Sequence, residues 1–168
     1  MALLPILKYP DSRLKIEALP VQDDEFETLE PLIVDMFETL YEDNGAGLAA
    51  PQVNVSKQVV VIDISDTRDQ RLVLINPVIV HHEGAATSFE GCLSIPEFYE
   101  KVTRSEKIAV KAQDQFGKPL EFEASGRLAI CIQHELDHLK GILFIDRLPV
   151  LKRKMLQRKL EKLNRRRY

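Results

Sequence analysis

The chain has 168 residues, 45% of them hydrophobic and 29% charged, which suits one domain (1–168) with a sizeable core and excludes wholesale disorder. Its formal net charge of -3 is unevenly placed, because residues 152–168 hold nine Lys or Arg against the single acid Glu161, a +8 tail on a -11 body. Two cysteines are too few for a disulfide framework, and no stretch approaches the about 20 apolar residues that a membrane-spanning helix needs.

Residues 1–24 read as irregular, punctuated by Pro5, Pro10 and Pro20. The opening apolar run is short, is broken by Pro5 and lacks a basic flank, so it does not read as a secretory signal, and a cytoplasmic protein is expected. Residues 26–42 place Phe26, Leu29, Ile33, Phe37, Leu40 and Tyr41 at helical spacing. Pro31 fits only the first turn of such a helix, so the helix starts late or kinks. Gly45 and Gly47 then open a loop.

Strand signals follow at 58–64 (QVVVIDI) and 71–80 (RLVLINPVIV), the second interrupted by Pro77. Short strands are expected near residues 88–92 and 101–104. Residues 107–114 and 119–124 alternate in polarity across a turn at 115–118, a hairpin pattern. Two helices complete the chain. One runs from an N-cap at Ser125 to about Lys140, with Gly141 closing it, and the other runs from Pro149 to about Asn164. The second has an apolar face of Leu151, Met155, Leu156, Leu160 and Leu163 that is expected to pack on the body. The fold class is α+β, with mostly antiparallel strands around a central helix and a helix toward each end.

That central helix carries Gln133-His134-Glu135-Leu136-Asp137-His138. Residues four apart on a helix share a face, so His134 and His138 can reach one metal ion while Glu135 lies beside it. This H-E-x-x-H spacing is that of metal-assisted hydrolysis. Leu128, Ile132, Leu136 and Leu139 form a separate stripe that anchors the helix without using its histidine face. A catalytic ion needs a third protein ligand and one open position. Cys92, Glu161 and Asp146 are candidates. Cys92 is preferred, because a thiolate is a strong ligand for Zn²⁺ or Fe²⁺, and because Glu161 sits among bases as an i,i+4 partner of Arg158 or Arg165. Cys131 shares the helix face three residues before His134. As a fourth ligand it would close the site, so it reads as pocket wall.

Three motifs stand in order: Gly45-Ala46-Gly47-Leu48-Ala49-Ala50-Pro51-Gln52, Glu90-Gly91-Cys92-Leu93-Ser94, and Gln133-His134-Glu135-Leu136-Asp137-His138. Together they closely resemble the signature of peptide deformylases. The resemblance implies hydrolysis of the N-formyl group from the initiator methionine of nascent polypeptides, releasing formate. It implies that Cys92, His134 and His138 hold one divalent ion, typically Fe²⁺, with Zn²⁺, Ni²⁺ or Co²⁺ able to replace it. Water activated by that ion is the nucleophile, Glu135 is general base and then acid, and the Gln52 side chain and the Leu93 N–H receive the developing oxyanion. Ala46, Gly47 and Gly91 match the positions that pair with the substrate backbone, and Ile130 and Cys131 are expected walls of the methionine pocket.

Two departures stand out. Ala46 occupies a position usually held by Ile or Val, and Arg127 one that is often apolar; both point to an altered preference beyond methionine. Arg104 and Asp137 are expected to support the metal segment from behind. The basic tail suits docking at the ribosome. The competing readings are a metalloprotease with Glu161 as third ligand, and a ribosome- or nucleic-acid-binding module with a structural zinc.

Overall fold

Helix α1 (Glu30–Glu42) begins with Pro31 in its first turn, where the missing N–H costs nothing. Of the two possibilities for this stretch, the helix therefore starts late, and Phe26 belongs to a separate 3₁₀ turn, Asp23–Thr28. The computed structural model describes residues 2–167. After α1 come β1 (Gly47–Ala49), a 3₁₀ turn (Ala50–Val53), β2 (Val59–Ile62), β3 (Leu72–Glu83), β4 (Ala86–Cys92), β5 (Ile95–Arg104), β6 (Lys107–Gln113), β7 (Pro119–Ser125), α2 (Gly126–Leu139), a 3₁₀ turn (Phe144–Arg147) and α3 (Val150–Arg167).

Five strands form one sheet in the order β1-β2-β3-β6-β7, and β4 and β5 form a separate two-stranded sheet. Every ladder between these strands is antiparallel. The valine-rich β2 is buried at all four positions because both of its faces are covered. Val60 and Ile62 pack with Ile132, Leu136 and Leu139 of α2. Val59 and Val61, pointing the other way, pack with Ile33, Met36, Phe37 and Leu40 of α1. Burying each α2 side chain is worth about 1.5–3 kcal/mol, so the stripe alone holds the metal-motif helix against the sheet.

Pro77 does not end its strand. The ladder to β6 shifts register between Ile75 and Val78, and Asn76 takes a positive φ of 51°. A bulge of this kind accommodates the missing N–H. The Asn76 side chain then binds Val21 on both N–H (2.8 Å) and C=O (3.0 Å), tying the entry segment to the sheet.

Ser125 is the N-cap of α2 as expected, although its side chain makes no capping hydrogen bond. Gly141, just past the helix, does adopt the left-handed conformation expected there, with φ 75°. In α3 only part of the apolar row is buried. Leu156 and Leu160 enter a third cluster with Leu14, Ile95 and Phe144, while Leu151 is 72% exposed and Met155 53%. At about 100° per residue, Leu156, Leu160 and Leu163 share a narrow stripe, and Leu151 and Met155 fall well outside it.

Candidate active site

The site forms where α2 meets the turn between β4 and β5. His134 and His138 lie one turn apart on α2, with ring centroids 5.1 Å from each other, and both are buried. Cys92 ends β4 at a register shift that turns the chain. Its Sγ lies 3.3 Å from His138 Nε2. One ligand atom each from Cys92, His134 and His138 all lie within 4.8 Å of one another. Among the described residues these are the groups gathered so. Glu161 lies exposed on α3, and Asp146 is occupied in accepting from Leu143 N–H at 2.9 Å.

A chain of buried charges orients the histidine. Glu90 Oε1 accepts from His134 Nδ1 at 2.9 Å, which leaves Nε2 as the free ring nitrogen. Arg104 grips Glu90 through two hydrogen bonds (2.6 and 2.9 Å) and donates a third to Asp137 at 2.9 Å. Arg147 holds Asp137 from the other side, at 3.0 and 2.8 Å. Glu90, Arg104 and Asp137 are each no more than 7% exposed. The expected support from Arg104 and Asp137 thus runs through Glu90. Sequence reading gave Glu90 and Arg147 no role. Glu90 precedes Cys92 by two, the strand spacing that puts both side chains on one face, and that was its available signal. Arg147, outside the motif helix, offered none.

Glu135 is 3% exposed, and its Oε1 lies 3.8 Å from His134 Nε2. Burial pushes its carboxyl up to about 7, against the pull of His134 and Arg104. His138 is held well below its ordinary value, by burial and then by the nearby His134. Among the described residues, the buried side-chain atoms without a hydrogen-bond partner are Glu135 Oε2 and His138 Nδ1. A thiolate, two imidazoles and an unsatisfied carboxylate oxygen are the donor set that a catalytic divalent ion with water beside it would use.

The first motif lies against this cluster. Gly47 faces α2 so closely that a Cβ there would stand 2.9 Å from both Cys131 Sγ and Glu135 Cγ. Ala46 C=O accepts from Asp63 N–H at 2.9 Å. Gln52 is 1% exposed. Its Oε1 accepts from Ala49 N–H (2.9 Å), and its Nε2 donates to Ser94 Oγ (3.1 Å) and Cys92 Sγ (3.6 Å). Leu93, half-buried, follows Cys92 in the same turn, and the Tyr99 ring lies over Gly91 where a side chain would otherwise be. Ile130 is half-buried one turn before His134. Arg127 is exposed and donates to Ile64 C=O at 3.3 Å.

The family model described as polypeptide deformylase matches residues 3–154. The chain belongs to the peptide deformylase family. It is 55% identical to a peptide deformylase of Chromobacterium violaceum over 162 residues, covering 96% of each chain. It is 52% identical to one of Neisseria meningitidis over the same length and shares. Among solved structures, a peptide deformylase from Legionella pneumophila superposes with a TM-score of 0.91 at 49% identity, covering 98% of this chain and 97% of that one. One from Ehrlichia chaffeensis in complex with actinonin gives 0.90 at 35% identity, covering 98% and 99%. Peptide deformylases are metal-dependent hydrolases, and this chain is one. No helix among the described residues is long and apolar enough to cross a membrane.

Proposed function

We propose that this deformylase removes the formyl group from the N-terminal formyl-methionine of nascent polypeptides in the cytoplasm, releasing formate, and that residues 1–168 act as one catalytic unit. Cys92, His134 and His138 hold one divalent ion, Fe²⁺ by family resemblance. An ion bound there would supply positive charge to the formyl oxygen and make nearby water acidic. Glu135 takes the proton from the attacking water as its oxygen bonds to the formyl carbon. As the C–N bond breaks, Glu135 returns that proton to the leaving amine. The Gln52 side-chain amide and the Leu93 N–H receive the negative charge that develops on the formyl oxygen.

The substrate enters as an extended strand. β1 is the outermost strand of its sheet among the described residues, which supports the reading that Ala46, Gly47 and Gly91 pair with a peptide backbone. Ile130 and Cys131 line the methionine pocket. The basic exposed face of α3 docks on the ribosome.

The observation that carries this reading is the buried, unpartnered Glu135 Oε2 beside the Cys92–His134–His138 group. The test is an anaerobic formate-release assay on a formyl-Met peptide, with metal content measured in parallel. Cys92→Ala should abolish both metal retention and turnover while Glu161→Ala leaves them intact. Formate release that survives Cys92→Ala with full metal content would end the proposal.

A further inference from the structure

Gln52 and Leu93 belong to different parts of the fold, one to the 3₁₀ turn after β1 and the other to the turn between β4 and β5. Two donors can share one oxygen only if their separation is held to a fraction of an ångström. The side chains supply two links, Gln52 Nε2 to Ser94 Oγ at 3.1 Å and to Cys92 Sγ at 3.6 Å. The backbone links come from the N-terminal segment. Leu7 N–H donates to Gln52 C=O at 2.7 Å, and Tyr9 N–H donates to Ser94 C=O at 2.9 Å. Two residues apart in an extended chain, these N–H groups point the same way, one to each turn. Between them, Lys8 Nζ donates to Leu93 C=O at 2.8 Å. The segment is anchored in turn, because Leu7 and Leu14 are buried in the third core cluster.

We propose that residues 7–9 form a strap that sets the distance between the Gln52 and Leu93 donors, with Lys8 as its positioning residue. The proposal rests on the reading above that these two groups receive the formyl oxygen. Lys8 itself is exposed, so its ammonium adds nothing to the core. What it does is fix the carbonyl of the residue whose N–H faces the reaction. A charge-assisted bond to that carbonyl holds the Leu93 peptide units against rotation. The effect should therefore fall on the transition state, where the oxyanion develops, rather than on substrate binding.

The experiment compares Lys8→Met, Lys8→Arg and Gln52→Leu in the metal-loaded enzyme with a formyl-Met peptide, reading kcat, KM, metal content and thermal midpoint. Lys8→Met keeps the aliphatic stem. It should lower kcat about tenfold, with KM within about twofold and the metal content and midpoint of the parent. Lys8→Arg should restore most of the loss. The proposal is overturned by an unchanged kcat in Lys8→Met, by a rise in KM alone, by a loss that follows the midpoint or metal content, or by no rescue in Lys8→Arg. Gln52→Leu separates the two levels, since removing an oxyanion donor costs about 100-fold or more in kcat. That loss beside an unaffected Lys8→Met defeats the strap alone, whereas full activity in Gln52→Leu defeats the donor assignment beneath it.

Discussion

Replacing Arg104 by Met would leave the shape of the side chain largely intact and remove its charge. Its guanidinium makes three hydrogen bonds to two carboxylates, at 2.6, 2.9 and 2.9 Å, and the residue is 7% exposed. Asp137 would keep Arg147, so the damage falls mainly on Glu90, left with His134 as its remaining described partner. Stripping one partner from a buried ion pair costs about 3–5 kcal/mol. The retained Arg147 places this case near the lower end, about 3 kcal/mol. In urea unfolding of the metal-free protein, with a slope of about 2 kcal/mol per molar, that is a midpoint about 1.5 M lower. Metal affinity should fall about 10- to 100-fold, since Glu90 would no longer be fixed against His134. A useful control is Arg13→Met. Its pair with Asp11 at 2.7 Å is open to solvent (side chains 48% and 26% exposed), so its loss should leave the midpoint almost unmoved. If Arg104→Met moves the midpoint no further than Arg13→Met, the buried network does not have the role assigned here.

Other outcomes follow from the same geometry. Leu160→Ala should destabilise by about 2–4 kcal/mol, because Leu160 is 8% exposed in the third cluster, while Leu151→Ala should stay within about 0.5 kcal/mol in the same chemical-denaturation assay. Asp63 is buried. Burial alone would raise its carboxyl pKa, but the hydroxyls of Ser65 and Tyr41 and the Ser65 N–H hold it below the ordinary value. A depressed folded-state pKa gives stability that is present above the unfolded value of about 4 and lost as pH falls through the folded one. The stability gap between the parent and Asp63→Asn, followed by thermal melts across pH, should therefore narrow on acidification below about pH 4. Neutralising the exposed Lys154, Arg158, Lys159 and Lys162 to Gln should flatten the salt dependence of ribosome co-sedimentation and leave turnover of short formyl-peptides unchanged. This is a cleaner test than deleting the helix, because deletion would also remove Leu156 and Leu160 from the core.

Local periodicity made some features legible and left others hidden. His134 and His138 could be placed on one face because helical spacing is a property of the segment itself, and the Ile132–Leu136–Leu139 stripe followed from the same count. The hairpin of β6 and β7 was equally local. Cys92 was different. It was preferred as the third ligand for its thiolate chemistry and for the resemblance to known motifs, since nothing in a linear chain shows that a strand end will come to rest beside a later helix. Arg147 was missed for that reason, and the spacing of Glu90 from Cys92 did not show what its carboxylate would meet, as both roles exist only once three separate elements converge. The apolar row of α3 was over-read. Hydrophobic identity suggested five buried positions, whereas the geometry of a helix resting on a small patch buries only those within a narrow arc. Pro77 misled in the opposite sense, because a bulge absorbed what looked like an interruption.

On the proposed reading that substrate pairs with the outer edge of β1, that edge has a consequence for the breadth of proteins such an enzyme would process. Backbone amides and carbonyls are common to every polypeptide, so a docking rail made of main chain admits almost any sequence behind the first residue. Selectivity is then left to the pocket that reads one side chain. A long open rail would also invite other copies to zip onto it. At three residues, β1 is too short to template stacking of its own kind.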